Sequence, residues 1–205
     1  MTHASHFRER LFTELRFSTR HLGPLRQLYR RLREDDLEPQ ISFEKVVGLH
    51  PNMAWHYAAS PQALDVFDDC LVRSNLRRSL EIVGGQPRLH AACFIVIRRE
   101  LPDLEFHIDY GDEEIPPGVT STMLTPLLPF ESGFGHLEYR ENEKDLEYRY
   151  QLGRAILFDG KFEHRSQPFR CNTSAERVLL SWSIASTQRR YAPAIRRVIQ
   201  SQTNH

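Results

Sequence analysis

The chain has no surplus of either charge: 27 Lys and Arg balance 27 Asp and Glu among 205 residues. It therefore lacks the broadly basic surface of a dedicated nucleic-acid binder. It has only three cysteines, Cys70, Cys93 and Cys171, an odd number at wide spacing. That pattern supports neither a disulfide framework nor a cysteine-rich zinc site, and it points to a reducing compartment. No run approaches the roughly 18 apolar residues of a membrane span. Residues 1–17 hold no uninterrupted apolar segment of the kind a secretory signal needs. Internal repeats and low-complexity stretches are missing too. What is present is 40% hydrophobic and 26% charged residues, enough apolar material for a sizeable core. The expectation is a globular, cytoplasmic, single-domain protein with no nucleic-acid and no membrane partner.

The first part of the chain reads as helical. Leu22, Leu25, Leu28, Tyr29 and Leu32 recur at helical spacing. The opposite face carries Arg26, Arg30, Arg31 and Arg33, a solvated surface offset by nearby acids or a face for an acidic partner. Residues 37–57, interrupted by Pro39 and Pro51, read as loop with short pieces of strand. Ser60-Pro61 is a helix start, because Ser offers a capping oxygen and Pro at the first position loses no needed hydrogen bond. Leu64, Phe67 and Leu71 mark a helix face running toward Leu80, and Gly84-Gly85 ends it.

The texture then changes to short strands. They are predicted at 91–97, 104–110, 121–128, 136–140, 148–158 and 177–186, separated by turn residues such as Pro116-Pro117-Gly118, Gly133, Gly135, Asp159-Gly160 and Asn172 to Ser174. No crossover helices separate them, which favours a sandwich or barrel over a parallel α/β sheet.

One segment carries more information than the rest. Read as a strand, Glu105 to Tyr110 turns His107 and Asp109 to one face and Phe106, Ile108 and Tyr110 to the other. An imidazole beside a carboxylate offers two adjacent ligands to a divalent metal. Alone, His-x-Asp arises often by chance. It gains weight from His164, which follows the apolar strand 154–158 and the turn Asp159-Gly160. Two histidines and one carboxylate leave three metal positions open, the pattern associated with non-haem Fe(II) oxygenases. Arg177 follows thirteen residues after His164. Alternation puts Arg177, Leu179, Ser181 and Ser183 on one strand face and Val178, Leu180, Trp182 and Ile184 on the other. A buried guanidinium needs an anionic partner, and its fork of donors suits a carboxylate.

Over about half of the chain, from Ala91 to Ser186, this order resembles the Fe(II)/2-oxoglutarate-dependent dioxygenases, nearest in layout to the prolyl-hydroxylase-like group. The matching features are His107-Ile108-Asp109, the glycine-bearing turn Gly133-Phe134-Gly135, the approach Gly153 to Phe158 leading to His164, and Arg177 on a strand that carries Trp182. The resemblance implies a mainly β double-stranded β-helix (a cupin-like jelly roll) with supporting helices. Residues 1–85 would be a mainly helical support region, 86–186 the catalytic core and 187–205 a C-terminal helix or tail. It implies Fe(II) held by His107, Asp109 and His164, with 2-oxoglutarate and O2 as co-substrates and Arg177 binding the far carboxylate of 2-oxoglutarate. The implied reaction is hydroxylation of a small molecule or an amino-acid residue in a peptide, with succinate and CO2 released. Asp109 argues against the halogenating subgroup, where a small residue leaves room for halide. The alternative is a β-helix binding module that keeps a metal site without turnover.

Two departures stand out. Many members carry Ser two residues after the Arg, where this chain has Leu179, and the Tyr that some place after His-x-Asp is replaced by Thr122, Thr125 and Pro126. Nucleic-acid dealkylases carry a second Arg where Ser183 stands. His136 reads as a strand-end surface histidine or a pocket neighbour, and His21, His50, His56 and His90 as structural or exposed. Asp112, Glu113 and Glu114 form either a solvated acidic loop or a gate for a cationic group. Cys93 reads as a core residue, and Arg189, Arg190, Arg196 and Arg197 as one face of a final helix. The substrate and the oligomeric state are not legible.

Overall fold

The computed structural model describes residues 12–48, 50–82, 87–111, 114–171 and 174–203. Its elements run β1 (Phe12–Arg16), α1 (Gly23–Arg33), β2 (Phe43–Val47), β3 (Met53–Ala58), α2 (Pro61–Arg73), β4 (Pro87–Arg98), β5 (Glu100–Leu101) and β6 (Thr120–Pro126). There follow β7 (Leu137–Glu141), β8 (Lys144–Tyr148), β9 (Arg154–Asp159), β10 (His164–Ser166), β11 (Phe169–Arg170), β12 (Glu176–Ser186) and α3 (Ala192–Thr203). A seven-stranded antiparallel sheet has the order β1-β9-β6-β12-β4-β3-β2. A smaller sheet, β10-β7-β8, and the pair β11-β5 complete the roll. This is the mainly β jelly roll expected.

Both predicted N-terminal helices form. In α2, the Ser60 hydroxyl accepts from the Ala63 backbone N–H at 3.2 Å with Pro61 at the first position. This helix stops at Arg73, and a 3-10 segment, Leu76–Ile82, continues the path. Gly84-Gly85 lies outside the described residues. The apolar stripes of α1 (Leu25, Leu28, Tyr29) and α2 (Phe67, Cys70, Leu71) pack on one face of the large sheet. They meet Val178, Leu180, Trp182 and Ile184 of β12, the packing face that alternation predicts. Trp182, fully buried, satisfies its indole N–H on the Phe67 carbonyl at 3.2 Å. The arginine face of α1 is met by acids: Arg31 pairs with Glu38 and Asp36, and Arg33 with Glu176.

The first 85 residues also supply β1, β2 and β3 to the large sheet. Phe12 of β1 sits edge-on to Tyr139, Tyr148 and Phe162, packing against the apolar cluster that they form with Ile156, Phe158 and Leu179. The expected strand at 148–158 is two strands, parted by a turn at Leu152-Gly153 in which Gly153 has φ 82°, a region that favours glycine. Arg189 and Arg190 lie in a 3-10 turn ahead of α3, so only Arg196 and Arg197 belong to the final helix.

The expected strand at 104–110 does not form. Residues 102–106 are irregular, His107 makes a single bridge to His164, and Asp109-Tyr110 turns the chain. Other contacts take the place of a ladder. Phe106 lies between the guanidinium groups of Arg140 and Arg165, at 4.1 and 4.5 Å from its ring centre. Arg165 also donates to the Leu104 carbonyl at 3.0 Å, and the Tyr110 N–H reaches the Gly160 carbonyl at 3.0 Å.

Candidate active site

The free face of the large sheet opens into a cavity of about 770 Å³. On β12 the residues turned toward it are Arg177, Leu179, Ser181 and Ser183, as the alternation predicts.

His107, Asp109 and His164 converge there, each with one ligating atom within 4.8 Å of the other two. The geometry that unites them is the bridge rather than strand alternation. His107 and His164 exchange both backbone hydrogen bonds at 2.9 Å, so their side chains rise from one directly opposed pair. Their rings lie 4.5 Å apart. The turn at Asp109 then brings its carboxylate to 3.9 Å from His107 Nε2 and 3.7 Å from His164 Nε2.

Hydrogen bonds hold these donors in a ligating state. The Nδ1 of His164 sits 2.9 Å from the Phe162 carbonyl. A carbonyl can only accept, so this contact assigns the proton to Nδ1 and leaves Nε2 with a free lone pair. Burial of His164 lowers its pKa, which favours the neutral, ligating form. The Thr122 hydroxyl donates to Asp109 Oδ2, opposite the oxygen turned toward the imidazoles. His107 is the exposed member and His164 the buried one. Two imidazoles and a carboxylate fit a divalent first-row metal, and the set contains no thiolate to favour zinc or a cluster.

Deeper in the cavity lies Arg177, 1% exposed. Its Nη1 donates to the Gly135 carbonyl at 2.7 Å and its Nη2 to the Ser166 hydroxyl at 2.9 Å, while its Nε is buried without a partner. Both acceptors are neutral. Burial pushes the guanidinium pKa down to about 10. Gly135 itself is packed against the segment after β10, where a Cβ would sit 2.2 Å from the Gln167 carbonyl oxygen.

Tyr150, absent from the sequence reading, is the second polar group at this end. Its hydroxyl is buried without a partner, and it lies near enough to Arg177 for each to perturb the other's ionisation. Burial raises the phenol's pKa, so it remains a donor. Two unsatisfied donors at the closed end of a cavity suit one carboxylate. This tyrosine comes from just past β8 rather than from β6. Reading Tyr148 and Tyr150 as an alternating pair on one face was the signal available.

Of the remaining expectations, Cys93 is buried but stands on the cavity wall beside Ser181, its cross-strand partner in the β4–β12 ladder. His136 is half-buried, stacks on Phe130 and accepts the Tyr150 N–H at Nδ1, so it props the pocket floor without reaching the metal set. Glu114 pairs with Arg197 at 2.8 Å. Asp112, Glu113 and Asn172 lie outside the described residues.

No family model matches the sequence, and no curated protein matches it. Solved structures do match. HygX from Streptomyces hygroscopicus, with nickel, 2-oxoglutarate and hygromycin B bound, is 14% identical over 91% of this chain and 88% of its own, with a TM-score of 0.63. The non-haem α-ketoglutarate-dependent epimerase SnoN of nogalamycin biosynthesis is 15% identical over 89% and 81%, with a TM-score of 0.63. A Pseudomonas putida prolyl-4-hydroxylase is 12% identical over 90% and 97%, with a TM-score of 0.59. The chain thus has the double-stranded β-helix fold of the 2-oxoglutarate/Fe(II) oxygenases.

Proposed function

We propose that this chain is an Fe(II)- and 2-oxoglutarate-dependent dioxygenase that hydroxylates a C–H bond of a small molecule or an amino-acid residue. The observation that carries the reading is Arg177. A cation is held almost wholly out of water on neutral acceptors, with one N–H unused, in the same cavity as two imidazoles and a carboxylate. A structural role does not require that combination, whereas a dicarboxylate spanning from a metal to Arg177 uses all of it.

In this reading His107 and His164 through Nε2, together with Asp109, hold Fe(II). Arg177 and Tyr150 bind the far carboxylate of 2-oxoglutarate. Bound there, iron with 2-oxoglutarate and O2 supplies an oxidant able to remove hydrogen from an unactivated C–H, with succinate and CO2 as co-products. The chain's own residues bind, orient and exclude water. The Phe162 carbonyl fixes the His164 tautomer, Thr122 orients Asp109, and Leu124, Leu137 and Leu179 line the inner cavity with apolar surface. Asp109 occupies the position where a halide would need space, which favours oxygen insertion over halogenation.

Succinate release with candidate substrates, combined with mass spectrometry under labelled O2, tests the assignment. Labelled oxygen in an alcohol product is expected, with chloride present or absent. Binding of 2-oxoglutarate without succinate release from any substrate would favour the binding-module alternative. An epimerised or ring-closed product without new oxygen would overturn hydroxylation.

A further inference from the structure

We infer that the outer half of the cavity is a chamber for an uncharged, hydrophobic small molecule, and that this is the substrate class; the inference rests on the oxygenase reading above. Its first support is charge. Among the described residues lining the cavity, the formally charged ones are Arg177, Asp109 and Glu105. Arg177 lies at the closed end and Asp109 belongs to the metal set, so Glu105 is the charge left for a substrate to meet. A phosphate, sulfate or carboxylate entering this chamber would be desolvated without a side-chain cation to pair with and would face the Glu105 carboxylate, a cost that selects against anions.

Surface character is the second support. Met53, Trp55 and Tyr57 project from alternate positions of β3 into the cavity. The Trp55 indole is held against the β2–β3 turn, where a Cβ on Gly48 would lie 2.7 Å from the ring. Leu104 and Ile108 line the same cavity. Among the described residues three large hydrophobic side chains are exposed: Val47 (54%), Val72 (51%) and Ile108 (39%). Two of these three, Val47 and Ile108, flank this one cavity. Exposed apolar groups gathered at a concave site mark a surface that a ligand covers.

Size and hydrogen-bonding capacity narrow the occupant. About 770 Å³ lies within the range of pockets that enclose drug-sized ligands and exceeds the needs of a five-carbon diacid. A peptide would bring a donor and an acceptor per residue. The side-chain hydrogen-bonding groups of the outer wall are the Trp55 indole N–H, the Tyr57 hydroxyl and the Glu105 carboxylate, too few to pair the backbone of a peptide along its length, while Val47, Met53, Leu104 and Ile108 offer none. A compact apolar molecule makes no such demand.

The test uses protein loaded with Zn(II) and 2-oxoglutarate, and calorimetric titration with 2-naphthol, 2-naphthoate and a capped alanyl-prolyl-alanine peptide. 2-Naphthol should bind at least about tenfold tighter than 2-naphthoate and tighter than the peptide. V47D, at an exposed position, should weaken 2-naphthol by about tenfold, and V47R should strengthen 2-naphthoate relative to the native chain. Equal affinity for the two naphthalenes, no binding of 2-naphthol, tighter binding of the peptide, or indifference to V47D and V47R would each overturn the inference. Zn(II) and 2-oxoglutarate binding are measured in the same series. If those fail, the oxygenase reading fails, while the naphthalene titrations repeated on metal-free protein still decide the chamber's preference.

Discussion

Arg177 is expensive to keep where it is, and that makes Arg177→Met an informative perturbation. Burial lowers its pKa from its ordinary value to about 10, which corresponds to about 3 kcal/mol spent holding the cation out of water. Methionine recovers that cost. It also removes two charge-assisted hydrogen bonds, to the Gly135 carbonyl and the Ser166 hydroxyl, worth about 1.5–3 kcal/mol each. The balance is a net destabilisation of between zero and about 3 kcal/mol in protein prepared without 2-oxoglutarate. Binding should respond far more sharply. Losing the charged partner of a desolvated carboxylate costs about 2–5 kcal/mol, or about 30- to 5,000-fold in affinity. Urea denaturation gives the first quantity and calorimetry on Zn(II)-loaded protein the second. Saturating 2-oxoglutarate should raise the stability of the native chain by about 2.7 kcal/mol at 100 times its Kd, and that of the variant at the same concentration by less than about 1 kcal/mol. A loss of more than about 4 kcal/mol in stability with unchanged 2-oxoglutarate affinity would mean that Arg177 is a structural cation and would refute the reasoning.

Tyr150→Phe removes one unpartnered hydroxyl and no protein hydrogen bond; 2-oxoglutarate affinity should fall by about tenfold with stability unchanged or slightly raised, measured by the same two assays. Thr122→Val removes the hydrogen bond that orients Asp109 and should cost about 10- to 100-fold in Mn(II) affinity, read by calorimetry, while circular dichroism stays native. Glu176 accepts from Tyr29 at 2.6 Å and Arg98 at 2.7 Å and pairs with Arg33. Burial alone would raise its pKa, but these donors and charges hold it below the ordinary carboxylate value. Its stabilisation is therefore fully present above the ordinary carboxylate range and lost as pH falls through the folded-state value. Glu176→Gln should cost about 1–3 kcal/mol at neutral pH and lose less stability than the native chain on acidification, which denaturation at stepped pH would show.

The candidate site residues were legible because each belongs to a pattern with a short physical range. Alternation along β12 placed Arg177 and Trp182 on opposite faces, and the capping pair Ser60-Pro61 started α2. The convergence of His107, Asp109 and His164 was legible, but for a different reason than alternation. It depends on a two-residue bridge between segments far apart in sequence, which no local period encodes. The β7–β8 hairpin was missed because its turn, Asn142-Glu143, holds φ of 49° and 63° without a glycine to announce it. β1 was missed because an edge strand of five residues needs only Phe12 and Leu15 to be apolar. Tyr150 was hidden inside what read as one long strand, which in fact breaks at the turn before β9.

The double duty of β12 has a further consequence. From Arg177 to Ile184 its even-numbered side chains are welded into the helix-packed core, and its odd-numbered ones furnish the cavity. The same backbone ladder to β4 and β6 holds both sets in place. A slip of one residue would bury Arg177 among the helices and turn Trp182 into the pocket. Selection for a stable protein therefore polices the pocket's alignment without acting on the pocket. Tolerance to substitution along this strand should oscillate with a period of two, with loss of abundance at Val178, Leu180, Trp182 and Ile184 and loss of ligand binding in an abundant protein at Arg177, Leu179, Ser181 and Ser183. Such a strand lets the chamber's small residues diversify one at a time, because the anchor that sets their position lies on the other side of the sheet.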